Sequence, residues 1–148
     1  QLDGNNARLA IAGKGALLDY VKSKAETVKG LSYEGFLDEE GVHNLLMNQD
    51  VLVAPSLWEE PFGRVVLDAY KHAMPVVVSS HGALPTLVED GLSGLIAKDD
   101  SSITLSRCFE YYIKTPSDVL KHAYKGIQIL GEYSIEKQVS AFIDIYKL

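Results

Sequence analysis

Cysteine is almost absent. Cys108 is the only one in the 148 residues, so no internal disulfide can form, and no Asn-x-Ser/Thr sequon occurs. An oxidising or secreted setting therefore has no support, and a cytoplasmic location is expected. Cations are in deficit, with 14 Lys and Arg against 20 Asp and Glu and a net charge of -6, which excludes a broad cationic surface for a nucleic acid or an anionic membrane. No apolar run reaches the ~20 residues of a transmembrane segment. Gln1–Asn6 contain neither an initiator Met nor the charged-then-apolar order of a signal peptide, so the chain reads as an excised or processed piece. His43, His72, His81 and His122 lack metal-ligand spacing, and Asp-x-Asp is missing, so neither a metal nor another cofactor is expected. Internal repeats, linkers and low-complexity stretches are missing too.

What is present is a core. With 47% hydrophobic residues, the chain can fold as one domain. Short β-branched runs recur at Arg8–Ala12, Leu31–Tyr33, Val51–Ala54, Val76–Val78 and Gly94–Ile96, with gaps long enough for crossover helices. That alternation predicts an α/β fold, a Rossmann-like parallel sheet with helices on both faces. Helical periodicity follows Asp38 (Val42, Leu45, Leu46) and Gly63 (Val65, Val66, Ala69, Tyr70, Ala73). After Lys98-Asp99-Asp100 the strand signal stops and a helical C-terminal tail begins. Its first helix carries Leu105, Phe109, Tyr112 and Ile113 on one stripe. The second is predicted to have a Thr115 cap, Pro116 in its first turn, an apolar face of Val119, Leu120, Ala123, Tyr124 and Ile127, and a stop at Gly131. The third starts near Ser134 with Ile135, Val139, Phe142, Ile143 and Tyr146.

The stretch from Ala54 to Ala69 runs from a buried strand through a polar loop into a helix start, the edge at which open α/β folds bind ligands. Glu60 precedes the helix, Gly63 permits close approach to the backbone, and the amides at Phe62, Gly63 and Arg64 can attract an anion such as a diphosphate. Asp68 lies eight residues beyond Glu60. Isolated, both acids read as solvated carboxylates, and Trp58 beside them either shapes a sugar pocket or anchors the loop. Gly13-Lys14-Gly15 lacks the third glycine of a dinucleotide fingerprint, Leu18 standing there, and the spacing of a Walker loop. Asp99-Asp100 reads as a turn and helix cap, and Cys108 as inert packing.

In its wider context, this stretch resembles the retaining GT-B glycosyltransferases of family four, marked by an E-x7-E motif in a strand-loop-helix setting. Ile11-Ala12-Gly13-Lys14-Gly15 is similar to that family's strand and glycine loop, Glu34-Gly35-Phe36-Leu37 to its Gly-Phe/Leu turn, and Asp50–Ser56 to its "DVxVxPS" strand. Met74–Val78, Glu89–Ile96 and Tyr133-Ser134-Ile135-Glu136 continue in order. The pattern departs at Asp68, where Glu is usual, at Ala73, where Gly is usual, and at Thr86, where an acid is usual and Glu89 is the substitute at hand.

The resemblance implies a C-terminal donor-binding domain spanning residues 1–148, without its first strand-helix unit, the Arg and Lys that clamp the donor diphosphate there, and the N-terminal acceptor domain. The expected partner is a UDP- or GDP-sugar, its hexosyl group passing to an acceptor in polysaccharide or glycoconjugate biosynthesis, with the isolated chain inactive. Glu60 is the implied catalytic residue, on the donor sugar. Phe62, Gly63 and Arg64 supply amides to sugar or phosphate, Asp68 binds ribose, and Lys14 beside Gly13 provides the second positive group. The base lies against Phe36 and Leu37. A non-catalytic nucleotide-sugar-binding or interaction module stays open as the alternative, because of Asp68, Ala73 and Thr86.

Overall fold

The computed structural model describes residues 7–146; the reading of Gln1–Asn6 lies outside them. The chain divides at Asn48/Gln49 into two compact units, each with a parallel sheet.

The first unit consists of β1 (Leu9–Ala12), α1 (Leu18–Thr27), β2 (Leu31–Gly35) and α2 (Glu39–Leu46). β1 and β2 pair in parallel with Ile11 opposite Tyr33, then slip by a residue so that Ala12 meets Gly35. The slip continues into the loop, where the Gly13 amide donates to the Gly35 carbonyl (2.7 Å) and the Tyr33 hydroxyl to the Gly13 carbonyl (2.7 Å). Asp38 caps α2 by accepting from the Gly41 amide at 2.9 Å, as the sequence pattern predicted.

The second unit runs β3 (Leu52–Ala54), α3 (Arg64–Lys71), β4 (Val76–Ser79), a 3-10 turn (Leu84–Leu87), β5 (Gly94–Ala97), α4 (Ser102–Lys114), α5 (Ser117–Glu132) and α6 (Ile135–Tyr146). All three strands are parallel in the order β3-β4-β5, so their carboxyl ends share one edge. β4 is central, and Val76, Val77 and Val78 have no solvent exposure. Each such side chain contributes roughly 1.5–3 kcal/mol through burial. Val77 packs with Ala97, Cys108 and Tyr112, supported by Leu95, Leu105 and Val119, and the period of a strand sends Val76 and Val78 to the opposite face. Burial also raises the Cys108 thiol pKa, in keeping with an inert packing role. α3 buries Val66 and Tyr70; the Tyr70 hydroxyl donates to the Leu87 carbonyl (3.0 Å), lies 2.9 Å from Ser93 Oγ, and has its pKa pushed up to about 12, chiefly by burial. No helix among the described residues is long and apolar enough to cross a membrane.

The tail differs from expectation in three ways. α5 continues through Gly131 to Glu132. Its buried face is His122, Ala123 and Gly126, whereas Leu120, Tyr124 and Ile127 are exposed, because the neighbour to be matched is the Tyr70 ring, against which only a glycine fits at position 126. Thr115 does not cap α5 with its side chain: its hydroxyl donates to the Tyr111 carbonyl (2.5 Å) at the end of α4. α6 begins where predicted, and its apolar residues Ile135, Val139, Phe142, Ile143 and Tyr146 are exposed.

Two predictions follow from strain and burial. Ala73 is the one described non-glycine residue with positive φ, at 53°. The left-handed region costs an L-residue about 1–2 kcal/mol, partly offset by glycine's unfolded-state entropy of about 0.4–1 kcal/mol. Ala73→Gly should therefore stabilise the protein by roughly 0.5–1 kcal/mol in urea denaturation. His122 is buried, with Nδ1 2.9 Å from the Tyr112 hydroxyl, and desolvation holds its pKa below the ordinary 6.5. The unfolded chain then binds the extra proton first, so this contribution is intact above pH 6.5 and is lost as pH falls below it towards the folded pKa, with a slope of up to about 1.4 kcal/mol per pH unit. Denaturation midpoints measured from pH 7.5 to 5 should fall less steeply for His122→Gln than for the wild type.

Candidate functional site

Three loops leave the carboxyl edge of the second sheet: residues 55–63 after β3, residues 80–83 after β4 and residues 98–101 after β5. The first carries Glu60 and ends at Gly63, whose φ of 80° turns the chain into α3. A Cβ at residue 63 would lie 2.7 Å from Leu84 Cδ2, so glycine is needed there for packing as well as for φ. No side chain caps α3, so the amide end of the helix at Arg64 keeps the positive potential of the helix dipole.

Glu60 is fixed from two directions. Ser56 Oγ donates to Glu60 Oε1 at 3.1 Å, and the Ala83 amide donates to the Glu60 carbonyl at 2.8 Å. Gly82, with φ of 58°, lies directly against this backbone: an added Cβ would be 2.3 Å from Glu60 N and 2.4 Å from Glu60 O. The Gly82 amide donates to Glu59 Oε2 at 2.7 Å. His81 joins all three loops, with Nε2 2.7 Å from Asp100 Oδ1 and Nδ1 3.7 Å from Glu59 Oε1.

The remaining predicted residues of this unit lie around α3. Asp68 is half-buried and engaged by Lys71 Nζ (3.2 Å) and Arg64 Nε (3.9 Å), so the Arg64 side chain is drawn towards Asp68. Phe62 is partly exposed and meets Tyr133 edge-on, with ring centroids 6.0 Å apart. Trp58 is 60% exposed, so it does not anchor the loop by burial. The Thr86 hydroxyl donates to the Ala83 carbonyl (2.6 Å), and Glu89 pairs with Lys125 (3.0 Å).

In the first unit the structure brings Lys14 and Phe36 together, with the ammonium 4.3 Å from the ring centroid. Gly13 lies beside them at the ends of β1 and β2, in a hollow of about 220 Å³ lined by Ile11, Leu18, Val21 and Tyr33. Leu37 lies against Gly41 in the first turn of α2.

Sequence reasoning missed Glu59, His81 and Asp100. Asp99 does accept from Ser101 and Thr104 at the start of α4, but the capping residue is Ser101, and Asp100 is turned to His81. The available signal was a histidine directly before a glycine at the end of a buried strand. Gly82→Ala should lose roughly 2 kcal/mol or more, combining left-handed strain with backbone overlap, and should shift the Glu59 and Glu60 amide resonances. Gly91 also has positive φ (76°) but open space around it, so Gly91→Ala should lose only about 1 kcal/mol and leave Glu60 unmoved.

The family model for glycosyl transferases group 1 matches residues 1–145. Among curated relatives, an uncharacterized glycosyltransferase of Methanocaldococcus jannaschii is 36% identical over 98 residues, 64% of this chain and 25% of that protein. A glycogen synthase of Mycobacterium tuberculosis is 34% identical over 142 residues, 93% of this chain and 34% of that protein. The chain thus spans about a quarter to a third of the length of these relatives. The structure of Anabaena HepE in complex with UDP superposes with a TM-score of 0.77 at 22% identity, covering 93% of this chain and 41% of that one. The C-terminal domain of the group 1 glycosyl transferase LpcC of Francisella tularensis gives 0.70 at 23% identity, covering 82% and 66%. The fold is that of GT-B glycosyltransferase domains. With the family pattern running through both units, the chain belongs to the glycosyl transferases group 1 family.

Proposed function

We propose that this chain is the donor-binding domain of a retaining hexosyltransferase of family four, using a nucleoside-diphosphate sugar. The observation that carries the reading is Glu60, held by Ser56 and by the Gly82-Ala83 backbone beside the uncapped start of α3. A carboxylate and a helix amino end side by side suit a donor that is polyhydroxylated at one end and anionic at the other. HepE, solved with UDP and with UDP-glucose, is a structural neighbour with such ligands.

Glu60 binds hydroxyls of the donor sugar and is the catalytic residue, standing at the first acidic position of the E-x7-E pattern. Breaking the glycosidic C–O bond develops positive charge on the sugar carbon, which a nearby carboxylate stabilises, and negative charge on the departing diphosphate, which the Phe62, Gly63 and Arg64 amides stabilise. Asp68 binds ribose hydroxyls after exchanging one of its contacts to Arg64 or Lys71. The acceptor belongs to a further domain in the cytoplasm, so the chain alone binds donor without transferring it. A non-catalytic binding module is the second reading, favoured by the pairing of Asp68 with both cations and by the engagement of the Thr86 hydroxyl with the Ala83 carbonyl. Transfer by a protein that includes the further domain separates the two.

Calorimetric titration tests the donor assignment. UDP- or GDP-sugar should bind more tightly than the free diphosphate. Glu60→Gln should remove that sugar-dependent gain, roughly tenfold, while Asp68→Asn should weaken nucleotide and nucleotide-sugar alike by about the same factor. Equal affinities for wild type and both variants would contradict the assignment.

A further inference from the structure

The proposed donor site rests on Glu60, and nothing in that reading uses the histidine one residue before Gly82. His81 is the point at which the three loops of the carboxyl edge meet. Its Nε2 lies 2.7 Å from Asp100 Oδ1, after β5, and its Nδ1 lies 3.7 Å from Glu59 Oε1, after β3. Its side chain retains only 25% of its exposure, whereas that of Glu59 retains 81%. An exposed glutamate is ordinarily mobile, yet Glu59 is tethered twice, since its other oxygen accepts from the Gly82 amide at 2.7 Å.

A neutral imidazole has one N–H and one lone pair, so it can donate to only one of these carboxylates and turns a lone pair towards the other. The imidazolium has two N–H groups and serves both. We infer that His81, as an imidazolium bridging Asp100 and Glu59, is a positioning residue that holds the Glu59–Glu60 segment against Gly82 and thereby sets the contact of Glu60 with the donor sugar. This rests on the donor-site reading above.

The groups acting on the imidazole are consistent with this state. Its bond to Asp100 raises its pKa above the ordinary 6.5, with further support from the charge of Asp100 and from Glu59. Glu60 is engaged by Ser56, Lys98 by Asp90, and Asp99 by Ser101 and Thr104. Because the folded pKa is the higher one, the contribution of this bridge is fully present below the unfolded value of 6.5 and is lost as pH rises through the folded pKa. Losing the His81 contact leaves the Glu59 side chain with the Gly82 amide as its remaining tether, next to the residue that carries the site carboxylate. Asp68, the proposed ribose contact, lies within α3 rather than in this loop, so the effect falls chiefly on the sugar.

The test uses the 148-residue chain and NMR, without ligand and then with UDP and UDP-glucose. The His81 ring should titrate above 6.5, and the Glu60 and Gly82 amides should move with the same midpoint. Asp100→Asn should lower that midpoint, and His81→Gln should abolish the pH-dependent movement of both amides while the rest of the spectrum keeps its dispersion. The ratio of UDP-glucose to UDP affinity should fall roughly tenfold in His81→Gln, the size of one charge-assisted contact, and should fall in the wild type as pH rises through the His81 midpoint, with UDP affinity unchanged. Glu60 and Gly82 amides that ignore the His81 titration would overturn the inference in the free protein, whatever binds. An unchanged affinity ratio in His81→Gln would overturn the positioning role. A wild type that binds neither ligand, with the amides still tracking His81, would overturn the donor reading and leave the bridge standing.

Discussion

The carboxyl edge of the second unit depends on one close approach: the Gly82 Cα lies so near the Glu60 backbone that a single added carbon would overlap the Glu60 amide nitrogen and carbonyl oxygen. From that contact the rest of the edge follows. It allows the Ala83 amide to reach the Glu60 carbonyl and the Gly82 amide to reach Glu59, and it sets the 3-10 turn whose Leu84 packs against Gly63. Gly63, with its positive φ, then leads directly into α3. The position of a carboxylate in space is thus decided in large part by two glycines that have no side chain. Their lack of side chains is the physical requirement, because backbone hydrogen bonds between loops hold more rigidly than contacts between long exposed side chains.

Much of the architecture was legible from the amino-acid pattern. The five β-branched runs became five strands, each parallel to its neighbour, within a residue or two; the plainest was Val76–Val78, since a Val-only run flanked by turn residues suits a strand buried on both faces. Asp38 was readable as a cap because its function is local. α5 was less legible. Leu120, Tyr124 and Ile127 have helical spacing, but the buried stripe is His122, Ala123 and Gly126, because the Tyr70 ring occupies the space that larger side chains would need. That demand comes from a residue some fifty positions away and leaves no periodic mark. The site divides in the same way. Glu60 and Gly63 announce themselves by their place between a strand and a helix, whereas the Asp100–His81–Glu59 bridge is made of residues 59, 81 and 100, brought together only by the sheet.

Asp68 shows how the same sequence spacing can carry different demands. Eight residues after Glu60, it is an acid where the resembled pattern has Glu, yet it already holds Arg64 and Lys71, partners supplied by the helix's own i to i+4 and i to i+3 geometry. Such exposed pairs are weak, typically under about 1 kcal/mol, so a ribose can compete for the carboxylate. Glu60 is different: its carboxylate accepts from Ser56 through Oε1 while its backbone carbonyl accepts from the Ala83 amide. The two acids therefore differ in preorganisation, which fits the division between a group on the reacting sugar and a group on the nucleotide.

Mapping backbone amides by NMR with UDP-glucose and with UDP tests the central claim most directly, that the locked Glu60 segment is where the donor sugar meets the protein. Subtracting the UDP map from the UDP-glucose map should leave shifts at Glu60, Gly82 and Ala83 and at Phe62–Arg64. Sugar-dependent shifts that avoid these residues and gather elsewhere, or no difference between the two ligands, would contradict it.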